Sequence, residues 1–316
     1  MRYQFLQDLI QEYVGQFSFS ALCRVMRVSR SGFAAWAKRS QPQSPSRRGR
    51  QEQELVAQIR LAHQQSRGTY GSPRIHQELR GKGVSCSKNR VARLMRQHRV
   101  TARPLRRFAV TTDSGHGLPV APNRLAQDFR ADKPNAAWSG DITYVWTGEG
   151  WLYLSVVLDL HSRRVVGWSM GPTLERSLVI EALQGALAQR QPAAGLICHS
   201  DRGSQYASAD YQALLGKAGA ICSMSRRGNC YDNAPVESFF ASLKRELVHR
   251  HSFTTREEAR VAVFEWIAVW YNRKRRHSAL GYLSPEQFES TKQLEEQHFR
   301  LEKDQHDHRE PTQRVA

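Results

Sequence analysis

GWLYLSVVLDL (150–160) is the stretch on which the fold turns. It has strand length, is rich in β-branched, aromatic and leucine side chains, and ends at Asp159 before a basic turn. A strand-like run over 137–147, containing WSGDITYV (138–145), precedes it, and RVVGWSM (164–170) follows. The connections are short, so the three are expected as an antiparallel meander. A helix over about 173–189 comes next, with Leu178, Ile180, Leu183 and Leu187 as its apolar stripe. GLICHS (195–200) is a short continuous apolar run suited to a buried parallel strand. A helix (207–218), a strand (220–225) and a helix (233–249) complete the pattern.

This β-β-β-α-β-α-β-α order is that of a ribonuclease-H-like fold, an α/β architecture with a mixed sheet and helices on both faces. Its first and fourth strands are neighbours, which would bring Asp141 in WSGDITYV near Asp201 in HSDRGSQY (199–206). A third carboxylate, Glu237 in NAPVESFF (233–240), lies on the following helix, with 35 residues between it and Asp201. Val236, Phe240, Leu243 and Leu247 form the buried stripe of that last helix, and Glu237, Ala241 and Lys244 share an adjacent face. Asp232 or Asn233 can cap the helix, and Pro235 fits its first turn. An acid in the first turn is also what the helix dipole favours, so Glu237 gains meaning only beside the two aspartates.

Three clustered carboxylates repel one another, and without a cation at least one tends to hold a proton. Their hard oxygens suit Mg2+ or Mn2+. Two such ions, roughly 3.5–4 Å apart, form the general device for in-line displacement at phosphorus. Asp141 is expected to bridge both, with Asp201 on one and Glu237 on the other. Asp159 competes as the first carboxylate but is expected to pair with Arg163 or Arg164 instead. His199 abuts Asp201 but would point to the opposite face, where a structural role outweighs a ligand role. The loop SRRGNCYD (225–232) reads equally as a mobile flap closing on DNA or as a plain connection.

The charge is placed unevenly. Of the net +18, residues 1–110 carry 22 basic and 5 acidic side chains, whereas 111–316 carry 25 and 24. A polyanion partner, double-stranded DNA, follows from the first part. SALCRVMRVSRSGFAAWAKR (20–39) reads as two short helices, capped by Ser20 and Ser29, with Arg30, Lys38 and Arg39 outward. TYGSPRI (69–75) opens a second helix-turn-helix-like unit with Ser72 as cap and Pro73 at the first helical position. Its second helix, capped by Ser87, faces Val91, Leu94 and Met95 inward and offers Lys88, Asn89, Arg90 and Arg93, with Arg96 nearby, to DNA. The domains expected are a first helix-turn-helix-like module (1–45), a second (46–110), a linker (111–135), the catalytic core with a C-terminal helical extension (136–290) and a polar tail (291–316). No apolar run approaches the ~20 residues of a membrane span. Five scattered cysteines without a CxxC pair argue for reduced thiols in a cytoplasm and against a zinc knuckle.

Taken together, WSGDITYV, HSDRGSQY, the 35-residue gap, NAPVESFF and the lysine seven residues beyond Glu237 resemble the retroviral-integrase-like DDE transposases. The segment YNRKRRHSALGYLSPEQF (271–288) resembles the C-terminal signature of the "IS-three" family of bacterial insertion sequences, in its second-reading-frame product. Asn272, Arg275, His277, Leu280 and Pro285 stand in the matching places, and TYGSPRI matches that family's helix-turn-helix module. The resemblance implies metal-dependent DNA strand cleavage and strand transfer, a homo-oligomer on paired element ends, and an upstream-frame partner joined by frameshifting. It also implies DNA contacts from Lys244, Arg275 and His277, and a cytoplasmic, nucleoid-associated protein. Two other readings stand beside it: a DNA-binding regulator or inhibitor of transposition without catalysis, and a metal-dependent nuclease of RNA–DNA hybrids.

Overall fold

The computed structural model describes residues 2–40, 47–102, 118–227 and 229–307. Of the stretch 41–50, which reads as a flexible basic linker, residues 41–46 lie outside them and 47–50 are helical, and the last residues of the tail also lie outside. The chain divides into two compact units, residues 1–61 and 62–316.

In the first unit, α1 (Arg2–Glu12), which sequence reading did not foresee, joins α2 (Phe19–Val25) and α3 (Arg30–Ser40). Tyr3 stacks on Trp36 with ring centroids 5.8 Å apart, and Phe33 meets Phe19 at 5.3 Å. The cap of α2 is Ser18, not Ser20, because Ser18 has the extended backbone that lets its hydroxyl accept from the Ala21 N–H. Ser29 caps α3 through the Gly32 N–H at 2.9 Å, as expected. Arg30 lies over the Phe19 ring, and Lys38 is exposed. The boundary between the units falls within α4 (Arg47–Gln65).

The second unit opens with α5 (Ser72–Gly81) and α6 (Lys88–Gln97). Gly71 is the N-cap of α5, with Ser72 already inside the helix and Pro73 in its first turn. Ser87 caps α6, and Val91, Leu94 and Met95 are buried. Lys88, Asn89 and Arg93 are exposed, whereas Arg90 is half-buried.

β1 (Ala137–Thr147), β2 (Gly150–Asp159) and β3 (Val165–Gly171) form the antiparallel meander. α7 (Arg176–Arg190), β4 (Ile197–Ser200), α8 (Ala209–Lys217), β5 (Ile221–Met224) and α9 (Ala234–Glu246) follow. The sheet order is β3-β2-β1-β4-β5, with β4 parallel to β1 and β5 parallel to β4. This is the ribonuclease-H-like arrangement.

The buried face of α7 is Leu178, Val179, Ala182, Leu183 and Ala186, while Ile180 and Leu187 are only partly covered. The stripe is rotated from the expected one because the helix comes unusually close to the sheet. A Cβ on Gly167 of β3 would collide with the Ala182 carbonyl and the Ala186 side chain, so the contact is built from small residues. Size, rather than hydrophobicity, chose the face.

Beyond α9, α10 (Arg256–Glu265) widens into a π segment over Trp266–Tyr271, where the Asn272 N–H reaches the Ile267 carbonyl. That widening turns Trp266, Ile267, Trp270 and Tyr271 into the core. The Asn272 side chain then exchanges two hydrogen bonds with the Val165 backbone, at 2.9 and 3.0 Å, and so closes the edge of β3. α11 (Pro285–Asp307) ends the described chain.

Residues 118–135, within the stretch expected as linker, lie against the core: Leu125 is buried, and the Arg124 N–H donates to Ser223 Oγ at 2.9 Å. Asp159 is fully buried; its main chain bonds those of Arg163 and Arg164 at 2.8 Å, while its carboxylate turns to Arg190 at 3.4 Å. The reason is that α7 ends over β2. Arg190 there bridges Asp159 and Glu289, and Arg164 is drawn to Glu289 at 2.8 Å. Asp159 is therefore committed to a structural network.

Candidate active site

Asp141 stands on β1 two residues past the last register pair with β4, Ser139 with His199. Asp201 follows the end of β4, so parallel pairing carries the two aspartates to the same end of adjacent strands. Each is braced by backbone. Asp141 Oδ1 accepts from the Ile142 N–H at 2.7 Å, and Asp201 Oδ1 accepts from the Gly203 N–H at 2.9 Å. Position 203 has to be small, since a Cβ there would come within 3.0 Å of Asp201 Oδ1.

Glu237 is in the first turn of α9. Neither Asp232 nor Asn233 caps that helix through its side chain. Asn233 instead bonds Ser139 Oγ and donates to the Gly140 carbonyl at 3.3 Å, pinning the start of α9 to β1 beside Asp141. Asp232, also buried, gathers Asn123, Gln127 and Arg226 and is held below the usual carboxylate range by Arg226. These fastening residues carry no sequence signal beyond their polarity, and only the fold reveals them. His199 bonds Ser223 and Ser225 across the sheet, and burial pushes it down to about 4. It is a neutral structural histidine.

The electrostatics join the three carboxylates. Burial, then the Asp201 charge, raise Asp141 well above the usual carboxylate range, and Glu237 adds to the effect. The Ile142 N–H and Lys244 oppose it. Burial raises Glu237 and lowers Lys244, the latter opposed by Asp141. Lys244, two turns below Glu237, places its Nζ 5.0 Å from the centre of the Tyr144 ring.

Among the described residues, no three acidic, histidine or cysteine side chains form a ready-made cage for a metal ion. The donor chemistry nevertheless suits a hard cation: three carboxylates whose mutual repulsion a divalent charge would relieve. An open carboxylate set, completed by water and phosphate oxygens, is how Mg2+ is usually held.

The repulsion has a measurable consequence. A carboxylate whose folded pKa is raised favours the fold only while protonated, and it loses that contribution as pH rises through the folded value. Asp141→Asn is therefore expected to raise the melting temperature of the metal-free protein at neutral pH. The gain should be at least about 2–4 °C, the shift produced by ~1 kcal/mol in a protein this size. It should vanish near pH 4, where the unfolded aspartate also titrates. Calorimetry across that range checks it, and a melting temperature lowered at neutral pH would contradict the electrostatic reading.

Of Arg275 and His277, both expected to touch DNA, Arg275 is buried and His277 half-buried. The Arg275 side chain is 3% exposed and meets Glu246, itself fully buried, at 2.9 Å, with Ser242 as a further acceptor. His277 packs edge-on against Tyr271 and is pushed well below the ordinary histidine value by burial and Arg275. A buried guanidinium must be paired, and the acid opposite it comes from α9, so the signature segment fastens that helix. The next residue, Arg276, pairs with Glu78 at 2.6 Å, and its N–H donates to the Tyr70 hydroxyl. TYGSPRI thus docks on the C-terminal segment through Tyr70, which also packs against Trp270.

A profile described as "Integrase core domain" matches residues 131–230, a second of the same description matches 218–285, and "HTH-like domain" matches 50–108. The chain is 47% identical over 290 residues to transposase InsF for insertion sequence IS3A of Escherichia coli (strain K12), covering 92% of this chain and 99% of that one. It is 44% identical over 267 residues to the insertion element IS600 uncharacterized 31 kDa protein of Shigella sonnei, covering 84% and 97%. Among solved structures, the simian T-cell lymphotropic virus intasome aligns with a TM-score of 0.43 at 17% identity, over 73% of this chain and 74% of that one. The HTLV-2 integrase catalytic core domain in complex with magnesium aligns at 0.40 and 18%, over 51% and 99%.

Proposed function

Because the chain belongs to the IS3 family of insertion-sequence transposases and is a DNA-acting DDE polynucleotidyl transferase, we propose that Asp141, Asp201 and Glu237 are the carboxylates that carry its chemistry. The observation that supports this most is the parallel pairing of β1 with β4, which carries Asp141 and Asp201 to the same end of adjacent strands, with the start of α9 and its Glu237 pinned to β1 by Asn233. Asp141, Asp201 and Glu237 would hold two Mg2+ or Mn2+ ions. When bound, such ions supply activation of an attacking oxygen and neutralisation of the leaving one.

The chain's own residues do the positioning. Asn233 keeps the start of α9, and with it Glu237, against β1. Lys244, on the same helix, offers its ammonium to a DNA phosphate near the scissile bond. Water attacks the phosphodiester at the element end and releases a 3′-hydroxyl. That hydroxyl then attacks a target phosphodiester, and the 3′-oxygen of the broken bond leaves. Each step exchanges one P–O bond for another, so neither a protein–DNA covalent intermediate nor an energy source is required.

The exposed Lys88, Asn89 and Arg93, with Arg90 beside them, are proposed to contact element-end DNA, chiefly its phosphates. The division into helix-turn-helix-like modules at 1–45 and 46–110, a core at 136–290 and a tail at 291–316 belongs to the same proposal. So do a homo-oligomer on paired ends, an upstream-frame partner and a location on the bacterial nucleoid.

The test is expression of the chain beside its native flanking DNA, with and without the upstream frame, followed by a search for excised circles and end-joined DNA. Junctions are expected. In the purified reaction, joining should disappear with EDTA and return with Mg2+ or Mn2+. Retained DNA binding without junctions under either arrangement would favour a regulator of transposition instead.

A further inference from the structure

The far end of the β1–β2 hairpin carries an aromatic surface that the reaction above does not use. Trp146 and Trp151 are 60% and 41% exposed and sit directly opposite each other in the β1–β2 register. Their rings meet edge-to-face with centroids 4.7 Å apart, and Trp151 meets Tyr144 in the same way at 4.8 Å. An edge-to-face ladder leaves ring faces uncovered, unlike a stack that satisfies itself.

The hairpin is held still. The Gly148 N–H donates to the Phe253 carbonyl at 3.0 Å. Arg256 donates through Nε to the Trp151 carbonyl at 3.0 Å, and its N–H to Glu149. Cations flank both ends of the ladder, Lys244 over Tyr144 and Arg256 beneath Trp151, with Glu149 the acid at the tip.

The strand that bears the ladder also bears Asp141. Pairing with β4 stops at Ser139, and beyond it β1 is met by Asn233 at the Gly140 carbonyl and by Phe253 at Thr147 and Gly148. Alternation puts Tyr144 and Trp146 on the face opposite Asp141. Lys244, electrostatically coupled to Asp141 and lying over Tyr144, links the two. An unpaired strand presents base faces to such rings, whereas the bases of an intact duplex are stacked on one another.

We propose that Tyr144, Trp151 and Trp146 form a stacking platform for unpaired bases of the DNA strand that flanks the scissile phosphate, with Lys244 and Arg256 on its phosphates. Rigid exposed aromatics between cations are the general means of holding single-stranded nucleic acid without reading its sequence. The proposal rests on the assignment of Asp141 as catalytic.

The experiment compares two probes on the full chain: a blunt duplex, and the same duplex ending in an unpaired thymidine tract that carries one 2-aminopurine. Wild type should prefer the tailed probe by about ten-fold per stacked base, with quenching of the 2-aminopurine. Trp146→Ala/Trp151→Ala should lose the preference and the quenching while binding the blunt duplex as before. Trp146→Phe/Trp151→Phe should retain most of both, and equal melting temperatures control for folding. An unchanged tail preference in the alanine variant overturns the proposal. The same result with a reduced oligomeric state on gel filtration would mark the ladder as a contact between copies of this chain. Asp141→Asn separates the two claims: it should keep tail binding and lose joining. If joining survives that change, the catalytic assignment fails, and the platform is then judged on the tail preference alone.

Discussion

Glu237→Gln should reduce DNA joining by at least about a thousand-fold while leaving the affinity for DNA within roughly two-fold. The substitution keeps the size of the side chain and removes only its charge. Glu237 is half-buried in the first turn of α9, outside the stripe of Val236, Phe239, Phe240 and Leu243 that seats the helix, so the fold has no reason to change. Its loss also removes one of the charges that raise Asp141, which argues against destabilisation. What disappears is a hard anionic oxygen in a set of three, and an amide is a far weaker partner for a divalent cation. Binding is proposed to draw on the basic residues of α6, which are remote in sequence and untouched. The measurements are junction formation in cells, single-turnover joining in vitro and fluorescence anisotropy of a labelled duplex. Joining within ten-fold of wild type would remove Glu237 from the catalytic set. A parallel loss of binding would show that the acid acts on DNA affinity instead.

Glu246→Ala should cost about 3–5 kcal/mol of stability, the usual penalty for breaking a buried ion pair from one side. Glu246 accepts from Arg275 and from the Trp270 indole at 3.0 Å, and it sits at the end of the helix that carries Glu237 and Lys244. Removing it strands a guanidinium in the interior and unfastens α9 from the C-terminal segment. Urea unfolding measures the loss. Glu246→Leu combined with Arg275→Met should recover much of it, since the pair pays a large desolvation cost for its attraction. Arg275 holds the Glu246 carboxyl below its ordinary value despite burial. Its contribution is therefore present above the usual glutamate pKa of about 4.3 and is lost as pH falls through the lower folded value. The Glu246→Ala variant should show correspondingly less acid sensitivity in that range. A variant as stable as wild type, with the same acid limb, would mean the pair adds nothing.

Periodicity and spacing were enough for the outline of this molecule. The meander, the parallel pairing of β1 with β4 and the buried stripe of α9 follow from side-chain alternation and helical repeat, which each segment carries locally. The places of the three carboxylates in the fold followed for the same reason: Asp141 lies within β1, Asp201 just past β4 and Glu237 in the first turn of α9. Where several residue types suit a position equally, the sequence was silent. Nothing local distinguishes Arg275 facing DNA from Arg275 facing Glu246, or Asp159 beside Arg164 from Asp159 beneath Arg190. A long polar side chain near a turn satisfies either pattern, and its partner lies tens of residues away. The rotated face of α7 depended on Gly167 of another strand, and Asn233 found its role only when β1 arrived beside it. Strand and helix formation are decided by neighbours in the chain, whereas the pairing of buried charge and the fit of close surfaces are decided by neighbours in space.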